Sequence, residues 1–197
     1  MSQPLTFMFF GIVGSGKGTQ VTLLEKYLKD NNIASDVLFT STGNEYRKVI
    51  QSNSYTGQIV KSTLEKGYLQ PNFLTISLFI NILISQMKEN TSFIADGFPR
   101  TIDQSQAFEQ AMHFYNRSNV HVVYIEVGRE EAIKRMKLRN RSDDTDEGIA
   151  KRFDEYINNV IPAMNYFKDK SGYMLHTING EQSINDVHKD IIKALNF

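Results

Sequence analysis

The chain has 197 residues, with 22 Lys and Arg against 22 Asp and Glu, a formal net charge of +0 at pH 7. That length suits one domain with a full hydrophobic core, and the balanced charge gives no global field favouring nucleic acid or an anionic membrane. The chain has no cysteine, which excludes disulfides and thiolate metal sites, and its four histidines, His113, His121, His176 and His188, fall in no motif.

The first apolar run, 5–10, is predicted to be a strand. Directly behind it comes Gly11-Ile12-Val13-Gly14-Ser15-Gly16-Lys17-Gly18-Thr19, which leads into a helical pattern over 17–30. Taken alone, such a stretch could be an ordinary glycine-rich turn. Strand, glycine-rich turn and helix in this order is the context a phosphate-binding loop requires. Its backbone N–H groups and the helix N-terminus cradle anionic oxygens, and Lys17 adds a positive charge for the β- and γ-phosphates. The residue after Lys17 is Gly18, so the hydroxyl that commonly holds magnesium there is displaced to Thr19.

A second strand is predicted at 37–40, followed by helices at 44–51, 56–66 and 72–89. The apolar stretch 73–87 is interrupted by Thr75, Ser77, Asn81 and Ser85. It falls short of the ~20 residues a membrane span needs and reads as a buried core helix. The N-terminus has neither a basic n-region nor a long apolar h-region, so it does not read as a signal peptide. A cytoplasmic location is expected.

The third run, 92–95, ends in Asp96-Gly97-Phe98-Pro99-Arg100. An Asp closing an apolar strand near a phosphate loop is the expected magnesium partner, commonly through water; by itself it also suits a helix cap or turn. Gly97 stands where many ATP-hydrolysing motors place a water-activating Glu. Arg100 offers a planar, permanently charged fork for a second phosphate.

A helix at 101–115 and a strand at 120–127 follow. The next helix, 129–138, leads into the basic stretch Arg135-Met136-Lys137-Leu138-Arg139-Asn140-Arg141-Ser142-Asp143-Asp144. Arg135 and Arg139 are four apart and share a helix face. Singly, such arginines also suit a solvated surface. A long helix at 145–168, carrying Arg152, then a strand at 173–178 and a helix at 183–195 complete the chain. Strands alternating with helices give an α/β fold with a parallel sheet and right-handed crossovers. Ligands of such sheets bind beyond the carboxyl ends of the strands, where these polar residues lie.

Gly14-Ser15-Gly16-Lys17-Gly18-Thr19, together with Asp96-Gly97-Phe98-Pro99-Arg100 and Gln104, resembles the two signatures of adenylate kinases. The Lys-Gly-Thr order is normal there, and Val13 stands where that family usually has Pro. Ser41-Thr42-Gly43-Asn44-Glu45-Tyr46-Arg47 resembles the opening of the family's monophosphate-binding segment, with Asn44 for the commoner Asp. Gly67-Tyr68-Leu69-Gln70-Pro71 resembles its end, with Gln70 where Val is usual. Asn179-Gly180 before a final amphipathic helix also fits, so the resemblance covers essentially the whole chain.

The resemblance implies a P-loop NTPase fold, a five-stranded parallel sheet flanked by helices. It implies a single kinase domain over 1–197, with a core of 1–41, 72–136 and 148–197, a helical monophosphate-binding segment at 42–71 and a short lid at 137–147. It implies reversible transfer of the ATP γ-phosphoryl group to AMP, giving two ADP. Magnesium would enter with ATP and meet Asp96. No zinc is expected, since the gap between Arg139 and the Arg-Ser-Asp-Asp stretch leaves no room for an inserted lid domain. ATP would be bound by Gly14, Ser15, Gly16, Lys17, Gly18, Thr19, Arg135, Arg139 and Gly180. AMP would be bound by Thr42, Gly43, Arg47, Leu69, Gln70, Gly97, Arg100, Gln104, Arg141 and Arg152. Catalysis would rest on Lys17, Arg100, Arg139, Arg141 and Arg152, with Asp143 and Asp144 holding the arginines. ATP and AMP are the expected partners of a monomer, with no nucleic acid or membrane.

Two alternatives remain at this point. One is a UMP/CMP kinase of the same fold; Thr42 and Gln104 favour AMP, because pyrimidine kinases tend to have Ala and Asn there. The other is a non-catalytic nucleotide-binding protein. A guanine-nucleotide switch should carry Asn-Lys-x-Asp, which is absent. Asp169-Lys170-Ser171-Gly172 matches Asp-x-x-Gly but reads as the C-terminal turn of a helix.

Overall fold

The structure is a computed structural model and describes residues 4–139 and 145–197. Five strands, β1 (Thr6–Phe10), β2 (Val37–Ser41), β3 (Ser92–Asp96), β4 (Val120–Glu126) and β5 (Tyr173–Asn179), form one sheet in the order β2-β3-β1-β4-β5. All neighbouring pairs are parallel. Around it lie α1 (Lys17–Asp30), α2 (Thr42–Gln51), α3 (Tyr55–Leu64), α4 (Asn72–Gln86), α5 (Ile102–Phe114), α6 (Arg129–Arg139), α7 (Asp146–Glu155), α8 (Ile161–Asn165) and α9 (Ile184–Ala194).

Each inner strand feeds two cores because successive side chains point to opposite faces. In β1, Met8 and Phe10 join one core with Phe93, Val122, Phe79, Phe108 and Phe167, under α4, α5 and α8. Phe7 and Phe9 join the other with Ile94, Val123, Leu24, Leu28 and Ile191, under α1 and α9. A sheet covered on both faces explains why its inner strands read as continuous apolar runs. A third, smaller cluster packs Ile12 of the loop after β1 against Ala132, Met136, Ile149 and Phe153. It ties the phosphate-loop backbone to α6 and α7.

The expected helix at 145–168 is interrupted. Between α7 and α8 lies a π-helical turn, Tyr156–Val160, in which the Ile161 N–H donates to the Tyr156 carbonyl five residues back. Pro162 follows immediately. It has no N–H for the Asn158 carbonyl and its ring crowds that carbonyl, so the helix widens ahead of it. The apolar helix α4 buries only a stripe, Thr75, Phe79 and Leu83, while Phe73 and Ile84 are 75% and 71% exposed. Helix α2 begins at Thr42, two residues earlier than the sequence pattern indicated. No helix among the described residues is long and apolar enough to cross a membrane.

Candidate active site

β1 and β3 are neighbours, and Phe9 pairs with Asp96. Asp96 therefore lies level with the start of the loop joining β1 to α1. Within that loop Gly14 has φ +91°, and a Cβ there would lie 2.6 Å from the Ala132 carbonyl oxygen. Only glycine lets the loop lie this close to α6. Helices α3, α5, α7 and α9 are each capped by a hydroxyl, from Ser54, Thr101, Thr145 and Ser183. No side chain caps α1. The same is true of α2, α4 and α8, but only at α1 does a glycine-rich loop that follows a strand precede the open N–H groups, as an anion site requires.

Lys17 folds back over its own loop. Its Nζ donates to the carbonyls of Gly11 and Ile12 and to Ser15 Oγ, the last two at 3.0 and 3.4 Å. Burial pushes its pKa down to about 8; Asp96 pulls the other way, while Arg100 and Arg139 add to the depression. An ammonium so crowded by cations gains by meeting phosphate.

Several residues expected at the AMP site gather around the Gly97 carbonyl. It accepts from Thr42 Oγ1 at 2.8 Å and from Arg100 Nε at 2.9 Å. Thr42 thereby fastens the start of α2 to the end of β3, and Arg100 is aimed by the backbone behind it. Arg47 Nη1 donates to Asn44 Oδ1, so Asn at this position keeps the acceptor that an Asp would supply. Across the site, Arg135 donates through Nε to Glu131 Oε1 at 2.7 Å and through Nη2 to the Gly180 carbonyl at 2.9 Å. That joins two of the residues expected to bind ATP.

One cleft of about 970 Å³ brings most of these groups together. Gly14, Ser15, Gly16, Lys17, Gly18, Thr19, Gly43, Arg47, Asp96, Arg100, Arg135, Arg139 and Gly180 all line it. A phosphate loop, a strand-end carboxylate and a second arginine pair thus face one space. The sequence profile described as adenylate kinase matches residues 9–172. The chain belongs to the adenylate kinase family.

An adenylate kinase from Prochlorococcus marinus (strain AS9601) is 33% identical over 184 residues, covering 93% of this chain and 94% of that one. One from Cyanothece sp. (strain PCC 7425) is 35% identical over 188 residues, covering 93% and 91%. One from Dehalococcoides mccartyi (strain BAV1) is 31% identical over 218 residues, covering 95% and 96%. The last alignment is longer than this chain of 197 residues, so that adenylate kinase holds residues this one lacks. The family is one of phosphotransferases, and this chain is an enzyme of that class.

A second, smaller pocket of about 70 Å³ adjoins the cleft and shares Lys17 and Arg100 with it. Leu69, Gly97 and Arg152 line it, with Tyr68, Glu155 and Tyr156. Two residues expected on the AMP wall sit behind it instead. Gln70 is 5% exposed, and its Oε1 accepts from Thr63 Oγ1 at 3.0 Å. Its side chain is thus engaged by a neighbour of the same segment. Gln104 is 1% exposed; both ends of its amide are engaged within the protein. Arg141, Asp143 and Asp144 lie outside the described residues.

Glu131 and Asn72 hydrogen-bond expected site residues, and Tyr156 lines the smaller pocket, none of which the sequence reading anticipated. The i,i+4 spacing of Glu131 and Arg135 was a readable signal. Asn72 and Tyr156 gave none, since their roles depend on distant partners. Tyr156 donates to the Tyr124 hydroxyl at 2.9 Å, and burial pushes its phenol further up, so it stays neutral. Among the described residues no group of three or more His, Asp or Glu side chains is placed to hold a metal ion.

Proposed function

We propose that this enzyme transfers the γ-phosphoryl group of ATP to AMP, reversibly, giving two ADP. The observation carrying this reading is that the phosphate loop and Arg47 and Arg100 line a single cleft. Lys17 and Arg100 line both this cleft and the smaller pocket beside it, where a transferring group would pass. ATP would enter with its base beside Arg135 and Gly180. Its phosphates would replace the carbonyl partners that Lys17 now holds.

Phosphoryl transfer needs little covalent help from protein. Positioned cations stabilise charge on the equatorial oxygens. Arg100, Arg139 and Arg152 fill that role here, together with Arg141. Asp96, a hard anionic oxygen among the loop residues of the cleft, suits a magnesium ion held through water. The ion bound with ATP would supply charge neutralisation at the β- and γ-phosphates.

Water must be kept from the γ-phosphate. Segment 42–71 would close over AMP, and the short lid 137–147 over ATP, against a core of 1–41, 72–136 and 148–197. Supporting this, the end of the first segment already rests on α7. A Cβ at Gly67 would lie 2.5 Å from the Gly148 carbonyl and 3.3 Å from Arg152 Cγ. Lys151 Nζ sits 4.7 Å above the Tyr68 ring. In this reading the AMP base would meet the free edge of the Gln104 amide. ADP formation measured with Mg-ATP and each nucleoside monophosphate in turn tests the proposal. A preference for UMP or CMP would replace it with pyrimidine monophosphate kinase activity.

A further inference from the structure

A primary amide can read two kinds of purine. A half-turn about its last bond exchanges the carbonyl and the NH2. Adenine presents an amino donor at position 6 beside an acceptor at N1. Hypoxanthine presents the reverse, an acceptor at position 6 beside an N1–H donor. A glutamine discriminates between them only if the protein fixes which way its amide faces.

Gln104 is fixed from both sides. Its Oε1 accepts from the Arg100 backbone N–H at 2.8 Å, a group that can only donate. Its Nε2 donates to Asn72 Oδ1 at 2.9 Å. Asn72 could itself be turned over, but its Nδ2 donates to Asp103 Oδ2 at 2.8 Å, and a carboxylate can only accept. Thr101 Oγ1 donates to the same Asn72 Oδ1 at 2.9 Å. The series therefore starts at an obligate donor, the Arg100 N–H, and ends at an obligate acceptor, Asp103. Every amide between them has one permitted orientation. Turning Gln104 over would set its NH2 against the Arg100 N–H, and its carbonyl against that of Asn72, in a buried place where unmade bonds are costly.

We infer that Asn72, held by Asp103, is a positioning residue that locks the Gln104 amide to read a 6-amino purine and to reject a 6-oxo purine. This rests on the reading of AMP as acceptor. One Nε2 proton and one Oε1 lone pair remain on Gln104 for the base. Asn72 is the first residue of α4, where the monophosphate-binding segment rejoins the core. The lock thus couples that segment to the start of α5.

The experiment compares kcat/KM for AMP, IMP and UMP, with Mg-ATP, in three proteins: the unaltered enzyme, Asn72→Ala, and the double variant Asn72→Asp with Asp103→Asn. The double variant keeps an acceptor facing Gln104 Nε2 and a donor facing residue 72 from position 103. Asn72→Ala is expected to lower the AMP-to-IMP ratio about fivefold or more, with KM for ATP unchanged. The double variant is expected to return the ratio to within about twofold of the unaltered enzyme. An unchanged ratio in Asn72→Ala overturns the inference even if KM for AMP rises, because packing alone would then explain the change. A double variant with a ratio as low as Asn72→Ala also overturns it. If the unaltered enzyme uses UMP as well as AMP, the acceptor reading fails, and the inference with it.

Discussion

Lys17 is held by carbonyl oxygens of its own loop, so phosphate binding exchanges neutral acceptors for charged ones. Lys17→Ala should lower kcat about a hundredfold or more, the order seen when one preorganised charge-stabilising group is removed. The fold should survive, because Lys17 is the first residue of α1 and its side chain belongs to none of the apolar clusters. Near-normal turnover by a variant with an unchanged circular dichroism spectrum would contradict the assignment. Arg47 and Arg100 line the same cleft and are proposed to hold the acceptor phosphate. Replacing either by Ala should raise KM for AMP about tenfold or more, with KM for ATP within about twofold, as expected for loss of a charge-assisted bond to one substrate. Equal effects on both substrates would place these arginines on ATP instead. The phosphate loop and Asp96 to Arg100 were legible in the sequence because each is a short continuous motif following a strand. The Asn72 partnership was not, because Gln104 lies 32 residues away in the chain and meets it only through the packing of α4 and α5.

At the scale of elements, the five strands were legible to within a residue or two at their ends. Their apolar runs follow from cover on both faces of the sheet. The helix expected over 145–168 was not legible as three pieces. Apolar periodicity carries no mark of a π turn, and Pro162 was the one available sign. That turn places Tyr156 and Val160 on the wall of the smaller pocket together with Arg152 and Glu155. The contact between segment 42–71, proposed to bind the monophosphate, and α7 is just as narrow. Gly67 has φ +80° and no space for a Cβ against Gly148. Gly67→Ala should therefore hinder docking of that segment and lower kcat/KM for AMP about tenfold, from backbone strain of roughly 1–3 kcal/mol. The melting temperature should move by only a few degrees, since the strain falls on the docked contact rather than on either core. Unchanged kinetics with AMP would mean that this contact is not formed during turnover.

Across the whole molecule, acid stability and acceptor choice are separable. His121 of β4 stacks on Phe7 and on His176 of β5, with ring centroids 5.4 and 5.3 Å away. Its Nδ1 lies 3.1 Å from His176 Nε2. Burial, reinforced by His176, pushes its pKa down to about 4. The unfolded chain takes up a proton near pH 6.5 that the folded protein refuses until about pH 4, so stability falls as pH drops through that window. Between pH 7.5 and pH 5 the loss should be of order 1 kcal/mol after allowing for partial exposure. Urea denaturation at pH 7.5 and pH 5 should show it, and His121→Gln should flatten the difference; an equal pH slope in the variant would assign the acid sensitivity elsewhere. The central claim is that one cleft seats ATP and AMP together. Its most direct test is ADP formation from Mg-ATP with AMP, UMP and CMP as competing acceptors. The account predicts that AMP exceeds each pyrimidine nucleotide about a hundredfold or more in kcat/KM, at ~1–3 kcal/mol for each buried group left unpaired. Comparable rates with UMP or CMP would contradict it.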